Sequence, residues 1–186
     1  MKKRFFVAVA GLYCSGSTEV VHALQAIGVN MGDHLVNGEA VGLAKICDSV
    51  AKFPLTTVSK PGKAISQLRP WVSSRFARCD GHVGGKHPTL CALGRALHRA
   101  AGNRLRVINC DRPLADSIDA MQAEGGWGTA DECEAVQRWL WDSKCELINN
   151  LNRSSVLDIK ADDLASNRES VIREIRCFLG MRKVAK

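Results

Sequence analysis

The sequence lacks long hydrophobic runs and contains few aromatic side chains. No apolar stretch approaches the roughly 18 residues that a membrane-spanning helix needs, so we expect no membrane partner. Phe, Trp and Tyr make up only 5% of the 186 residues, which argues against the stacking platforms that bind single-stranded nucleic acid. Lys and Arg are scattered despite a net charge of +7. The basic balance suits an anionic ligand or surface, whereas the scattered charges and few aromatics argue against a nucleic acid as partner.

The chain also lacks any C-x-x-C pair, although it has eight cysteines. Their spacing fits no pattern of zinc ligands, so no metal site is predicted. Cys110 and Cys177 lie in apolar stretches and are expected to be small buried hydrophobes. Free cysteines of this kind favour a reducing, intracellular compartment, and we expect the protein to be cytoplasmic. Only Cys14 lies where thiol chemistry would matter.

No internal repeat, low-complexity tract or linker divides the chain, so we expect one domain over residues 1–186. The run "FFVAVA" is short, apolar and followed by glycine, which is typical of a parallel strand buried on both faces. A signal peptide is the alternative interpretation of this N-terminus. Further strands are predicted within three stretches that alternate with helical patterns, at residues 81–88, 104–110 and 154–160. The order predicts an α/β, three-layer P-loop-type fold with a mostly parallel central sheet flanked by helices.

The sequence also predicts the structure of three segments between these strands and helices. Residues 31–39 resemble a loop. Residues 60–78 have a helical pattern that Pro70 is expected to break, because proline does not fit a straight helix interior. Trp127 lies between glycines and is expected to belong to a mobile lid.

The stretch "GLYCSGST" at residues 11–18 is almost a phosphate-binding loop. Two glycines frame it, a buried strand precedes it and an amphipathic helix follows, which is the context the motif requires. Backbone N–H groups in such a turn converge on an oxyanion. The lysine that ATPases and GTPases need is replaced by Ser17. A tight strand-to-helix connection with Ser and Thr as helix caps is the alternative.

The loop resembles the one with which sulfotransferases bind 3′-phosphoadenosine 5′-phosphosulfate (PAPS), where no lysine is expected at Ser17. Four later passages resemble the same family in the same order along the chain: "LQAIGVNMGDHL" at 24–35, "GGKHPTLC" at 84–91, "VINCDRPLADSIDAM" at 107–121, and "VLDIKADDLASNRESVIREIRCFLGM" at 156–181. The resemblance implies sulfuryl transfer from PAPS, with 3′-phosphoadenosine 5′-phosphate (PAP) as product. The acceptor, a hydroxyl or an amine, is not encoded in any motif.

The resemblance also implies how the donor would be held. The cradle for the 5′-phosphosulfate would be the start of the helix: Ser15, Gly16, Ser17 and Thr18. Arg112 and Ser117 match the positions that bind the 3′-phosphate. The alternatives are an ion pair of Arg112 with Asp111 or Asp116, and an ordinary helical role for Ser117.

Catalysis requires a base for the acceptor and a cation near the transferred group. His87 is the candidate base, since histidine titrates near neutral pH, and Lys86 is the candidate cation. His34, beside Asp33, is a rival base. A solvated loop histidine before a proline is the alternative for His87.

Cys14 is the main departure from the family, which has Lys or Arg at this position. Either Lys86 compensates, or the chain is a catalytically inactive nucleotide-binding member. The N-terminus of the helix would lower the pKa of this thiol, or Cys14 is a small spacer. A small P-loop kinase, with Asp111 as its Mg²⁺-binding acid, is a further alternative.

Overall fold

The computed structural model describes residues 3–51, 53–54, 56–58 and 61–181. Its centre is a parallel sheet of four strands in the order β4-β1-β5-β6. The strands are β1 Phe6–Ala10, β4 Val83–Lys86, β5 Leu105–Asp111 and β6 Val156–Lys160. A separate two-stranded hairpin is formed by β2 Leu35–Val36 and β3 Glu39–Ala40.

Helices cover both faces of the sheet. Those in the described part of the chain are α1 Ser17–Ala26, α2 Val41–Asp48, α3 Pro61–Arg78, α4 Gly94–Ala101, α5 Leu114–Glu124, α6 Ala130–Asn149, α7 Ala161–Ser166 and α8 Arg168–Phe178. Helices α1, α7 and α8 pack on one face, whereas α2, α3, α4 and α6 pack on the other. No described helix has the length and apolar character needed to cross a membrane.

Strand β1 divides the hydrophobic core into two layers. Its side chains alternate, so that Phe6 and Ala8 contact the α3, α4 and α6 layer while Val7 and Val9 contact the α1 and α8 layer. All five of its residues are buried. The prediction of a three-layer fold around a central parallel strand is confirmed.

Two local predictions were wrong. Helix α3 continues through Pro70; the helical prediction had started at residue 60, which lies outside the described residues. Cys177 is exposed on α8, while Cys110 is buried as expected. In the first case tertiary packing overrides a local preference, because Leu68 and Val72 on either side of the proline are fully buried.

The segment predicted as a loop at residues 31–39 contains the hairpin instead. Asn37 and Gly38 have φ values of 50° and 76°, the left-handed pair that a two-residue type I′ turn requires. The turn brings β3 beside β4. As a result Glu39 lies at the same end of the sheet as the loop that follows β1.

Candidate functional site

The loop between β1 and α1 curls around the start of the helix. Gly16, which precedes α1, has φ 76°, and Cys14 has φ 55°. Such left-handed residues turn successive backbone N–H groups toward one concave surface. The first N–H groups of α1 have no partner within the helix, so the loop presents donors and the positive end of the helix dipole to an anion.

The start of this loop leaves no room for a side chain at Gly11. A β-carbon at this position would lie 2.4 Å from Ser15 Oγ and 3.2 Å from Cys110 Cβ. Ser15 Oγ donates a hydrogen bond of 2.8 Å to the carbonyl of Leu12. The Ser15 side chain thus closes the loop from inside.

The four predicted cradle residues lie together at the start of α1, but their hydroxyl groups differ in use. Ser15 and Ser17 are buried, with 1% and 4% of their surfaces exposed. Thr18 Oγ1 donates to the carbonyl of Asn37 at 3.1 Å and so ties the loop to the hairpin turn. For an incoming anion, the main donors of the loop are therefore its backbone N–H groups.

Cys14 carries no charge in this loop. Its Sγ donates to Glu124 Oε2 at 3.1 Å. Burial and this hydrogen bond raise the pKa of the thiol to about 12, so the expectation of a lowered pKa was wrong. The positive charges of Arg112 and Lys86 oppose the shift.

Arg112 follows β5 directly and reaches across to the loop. Its Nη1 donates to the backbone carbonyl of Cys14. Neither Asp111 nor Asp116 forms an ion pair with it within the described residues. The structure thus brings Arg112 to the loop between β1 and α1, and the alternative pairing is not found among the described residues.

Ser117, the second residue expected at a 3′-phosphate, lies in the interior. It is 0% exposed and its Oγ has no hydrogen-bond partner among the described residues. Gln137, also fully buried, donates from Nε2 to the carbonyls of both Ser117 and Tyr13, at 3.0 and 2.9 Å. This amide fixes α5 to the phosphate loop.

Lys86 ends β4, where it pairs in register with Val9 of β1. Its Nζ donates to Glu39 Oε1 at 2.8 Å and to the carbonyl of Asn37 at 3.3 Å. The residue is 7% exposed. Lys86 therefore holds a buried positive charge beside the loop, balanced by one carboxylate.

His87 is buried directly after Lys86. Its Nδ1 accepts the N–H of Thr89 at 3.2 Å, so the neutral ring carries its proton on Nε2. That Nε2 lies 3.6 Å from a carboxylate oxygen of Glu39 and 3.6 Å from one of Asp48. Burial lowers the pKa of His87 to about 4. At neutral pH the ring is uncharged and its basic nitrogen is already used as an acceptor.

The rival histidine, His34, lies immediately before the hairpin. It has φ 53° and lines a cavity of about 560 Å³ with Thr18 and Asn37. Asp33, expected to act with it, is ion-paired with Arg75 at 3.0 Å. Within the described chain, the structure brings together Lys86 and His87 with Glu39, and leaves His34 outside this cluster.

Two carboxylates in the site, Glu39 and Asp48, were not predicted. Both also act on Tyr13, where burial first and then these negative charges raise the pKa of the phenol. The Asn-Gly pair before Glu39 is a strong hairpin signal, and it would have predicted the turn but not the strand beside which the hairpin lies. No comparable signal marks Asp48, which reaches the site from the end of α2.

Trp127 covers the loop from the α5–α6 connection. Its ring lies 4.9 Å from that of Tyr13 and 5.9 Å from that of Phe53 between centroids. Its Nε1 donates to Glu124 Oε2 at 3.0 Å, the oxygen that also accepts from Cys14. Trp127 is thus placed over the loop as a lid would be; its mobility stays a prediction.

No protein-family model and no curated protein sequence matches this chain. Solved structures do. The sulfotransferase of Alicyclobacillus acidocaldarius has a TM-score of 0.65 at 13% identity, over 96% of this chain and 82% of its own. The sulfotransferase domain from the curacin biosynthetic pathway has a TM-score of 0.60 at 14% identity, over 99% and 76%. A sugar kinase from Janibacter sp. HTCC2649 has a TM-score of 0.57 at 16% identity, over 96% and 95%.

These identities are low, so the likeness concerns the fold. The likeness extends over 96% to 99% of this chain. The chain therefore has a sulfotransferase-like α/β fold, one that it also shares with a sugar kinase.

Proposed function

We propose that the protein transfers a sulfuryl group from PAPS to a hydroxyl or an amine of an acceptor molecule. One observation carries the proposal. The loop at the start of α1 lacks a lysine, yet Arg112 after β5 donates to its Cys14 carbonyl, and Lys86 holds a buried charge at the end of the neighbouring strand β4. Two cations beside a set of free backbone N–H groups suit a highly anionic nucleotide.

The loop fits the phosphosulfate end of such a donor. Gly11 leaves the space in which the loop folds back on itself, and the N–H groups of Ser17 and Thr18 open α1 without partners in the helix. When bound, the donor supplies a sulfuryl group whose bond to the phosphate oxygen breaks as a bond to the acceptor oxygen or nitrogen forms.

Lys86 and Glu39 are suited to the two chemical roles of the site. The Lys86 ammonium would neutralise charge at the transferred group, since a positioned cation in a water-poor site stabilises a developing anion. The Glu39 carboxylate would accept the proton of the acceptor, because it is partly exposed and keeps a free oxygen lone pair. His87 would then orient Glu39 through Nε2, which faces that carboxylate.

Two other functions remain as alternatives. A catalytically inactive nucleotide-binding protein is favoured by the neutral thiol at Cys14. A small P-loop kinase is favoured by the structural match to a sugar kinase, with Asp111 at the end of β5 as the acid that would bind Mg²⁺.

Ligand-dependent thermal shifts separate these functions. Stabilisation by PAP and not by ATP with Mg²⁺ is expected, and a ligand at 100 times its dissociation constant adds about 2.7 kcal/mol to the free energy of unfolding. A shift with ATP and Mg²⁺ alone would favour the kinase. No shift with PAP in large excess would remove the donor assignment.

Turnover is tested separately by hydrolysis of PAPS to PAP and sulfate, a reaction in which water takes the place of the acceptor. A measurable rate that disappears in Lys86→Met supports the transferase. If PAP binds and PAPS is not hydrolysed, even in Cys14→Lys, which adds a cation to the loop, the binding-module alternative is favoured.

A further inference from the structure

The positive charge missing from the phosphate loop has a specific replacement in this chain. At Cys14 the thiol is neutral at any physiological pH, since burial and Glu124 raise its pKa to about 12. The loop itself contributes no cation between Gly11 and Thr18. A donor with a charged phosphosulfate end therefore needs a cation from a neighbouring element.

Arg112 is placed to be that cation. Its Nη1 donates to the Cys14 carbonyl, and its charge acts on the Cys14 thiol. Its other guanidinium nitrogens have no hydrogen-bond partner within the described residues, and none is sealed from solvent. An arginine has five donors in a planar fork, so one contact to the loop leaves donors for phosphate oxygens.

A buried side chain fixes the position of Arg112 relative to the loop. Gln137 bridges the carbonyls of Tyr13, next to Cys14, and Ser117, in the helix that follows Arg112. The amide is fully buried. The two segments that carry Cys14 and Arg112 are thereby held together before any ligand arrives.

The residue expected to share a 3′-phosphate with Arg112 does not reach a ligand surface. Ser117 is 0% exposed, with its hydroxyl in the interior. The two residues assigned to the 3′-phosphate by resemblance thus point to different places, Arg112 to the loop and Ser117 to the core.

We propose that Arg112 binds the 5′-phosphosulfate end of the donor and takes the role of the absent loop lysine, and that it does not read the 3′-phosphate. This inference rests on the proposed function, because it concerns the same nucleotide site. It predicts that Arg112 adds to the binding affinity through the 5′-phosphate alone.

Two nucleotides separate the two ends of the donor. AMP has only the 5′-phosphate, while PAP has both. Calorimetric titration of each into Arg112→Ala is expected to show the same loss of affinity, on the order of 10- to 100-fold, as typical of a charge-assisted hydrogen bond. The double variant Cys14→Lys/Arg112→Ala is expected to regain most of the loss for both ligands. Arg138→Ala, which removes an exposed arginine of α6, is the matched control and should change neither affinity.

A loss confined to PAP, with AMP binding unchanged in Arg112→Ala, would overturn the inference and return Arg112 to the 3′-phosphate, with the proposed function intact. If the wild-type protein binds neither AMP nor PAP, the proposed function fails and this inference with it. Should Arg112→Ala not fold, Arg112→Lys serves instead: the fork is lost but the charge stays, and a smaller, equal loss for both ligands is expected.

Discussion

The Lys86 ammonium lies 2.8 Å from the Glu39 carboxylate, with only 9% and 21% of the two side chains exposed. The pair joins β4 of the central sheet to the hairpin that precedes α2. Because each charge is largely removed from water, each depends on the other. The contact brings a cation and a carboxylate to one place beside the loop between β1 and α1.

Replacing Glu39 by glutamine should separate catalysis from binding. The amide still accepts a hydrogen bond from Lys86 but does not accept a proton, so sulfate release from PAPS is expected to fall about 10²- to 10⁴-fold. The thermal shift caused by PAP should persist. Glu134→Gln, at an exposed carboxylate of α6, is the control. An unchanged rate in Glu39→Gln would remove Glu39 as the base.

The fold could be predicted from the sequence because its signals are local and strong. The apolar run of β1 and the alternation of strands with helices define the parallel sheet. Close packing explains the glycines of strand β4. A β-carbon at Gly84 would lie 2.6 Å from the carbonyl oxygen of Val7 and 2.7 Å from the sulfur of Met31. The predicted helix break at Pro70 was wrong because burial of the neighbouring side chains outweighs the cost of a proline in the helix.

The site was less predictable because side-chain partners are tertiary. Lys86 and His87 could be chosen by residue type and position in the chain. That His87 is buried and already accepts from Thr89 is a consequence of how the chain turns after β4. The partners of Arg112 and Lys86 likewise come from distant segments, at Cys14 and Glu39, which no local pattern connects.

Gly11→Ala tests whether the loop needs its first glycine. The added methyl group would lie 2.4 Å from Ser15 Oγ, so Ser15 must leave its bond to Leu12 or the strand must shift. We expect the free energy of unfolding to fall by about 1–3 kcal/mol. We also expect the PAP-dependent thermal shift to be lost. Gly62→Ala is the control: a β-carbon there would meet no atom of the described residues within 4 Å beyond its chain neighbours and its own helix backbone. Alanine in the first turn of α3 should stabilise by up to about 1 kcal/mol. Equal urea midpoints for Gly11→Ala and wild type would contradict the crowding argument.

His87 should make stability depend on pH in a defined window. Burial lowers its pKa from 6.5 to about 4 in the folded protein, so the unfolded chain binds a proton that the folded chain does not. Stability is therefore present above pH 6.5 and is lost as the pH falls toward 4, by up to about 3 kcal/mol. Urea unfolding at a series of pH values measures this loss.

The matched variant for that measurement is His87→Asn. Asparagine can still accept from the Thr89 N–H as a helix cap, but it does not titrate. The decline between pH 6.5 and 4 should be correspondingly shallower. If the variant declines as steeply as the wild type, the titration belongs to another group.

Glu124→Gln tests the negative charge that the structure places against the loop. One oxygen of this carboxylate accepts from both Cys14 Sγ and Trp127 Nε1, and the two bonds lower its pKa, so it is ionised at neutral pH. An anion entering the loop is repelled by it. Neutralisation should tighten PAP binding by about 3- to 10-fold at low salt, with a smaller gain at high salt because the carboxylate is exposed and screened.

A second property of the same variant is independent of any nucleotide. Glu124 raises the pKa of the Cys14 thiol both as a hydrogen-bond acceptor and through its charge. In Glu124→Gln the thiol should therefore ionise at lower pH and react faster with iodoacetamide at a given alkaline pH. Cys14→Ser in the same background identifies the reacting group. Tighter PAP binding without faster alkylation would mean that Glu124 repels the ligand without contacting Cys14. If neither PAP binding nor alkylation changes, the carboxylate does not act on the loop.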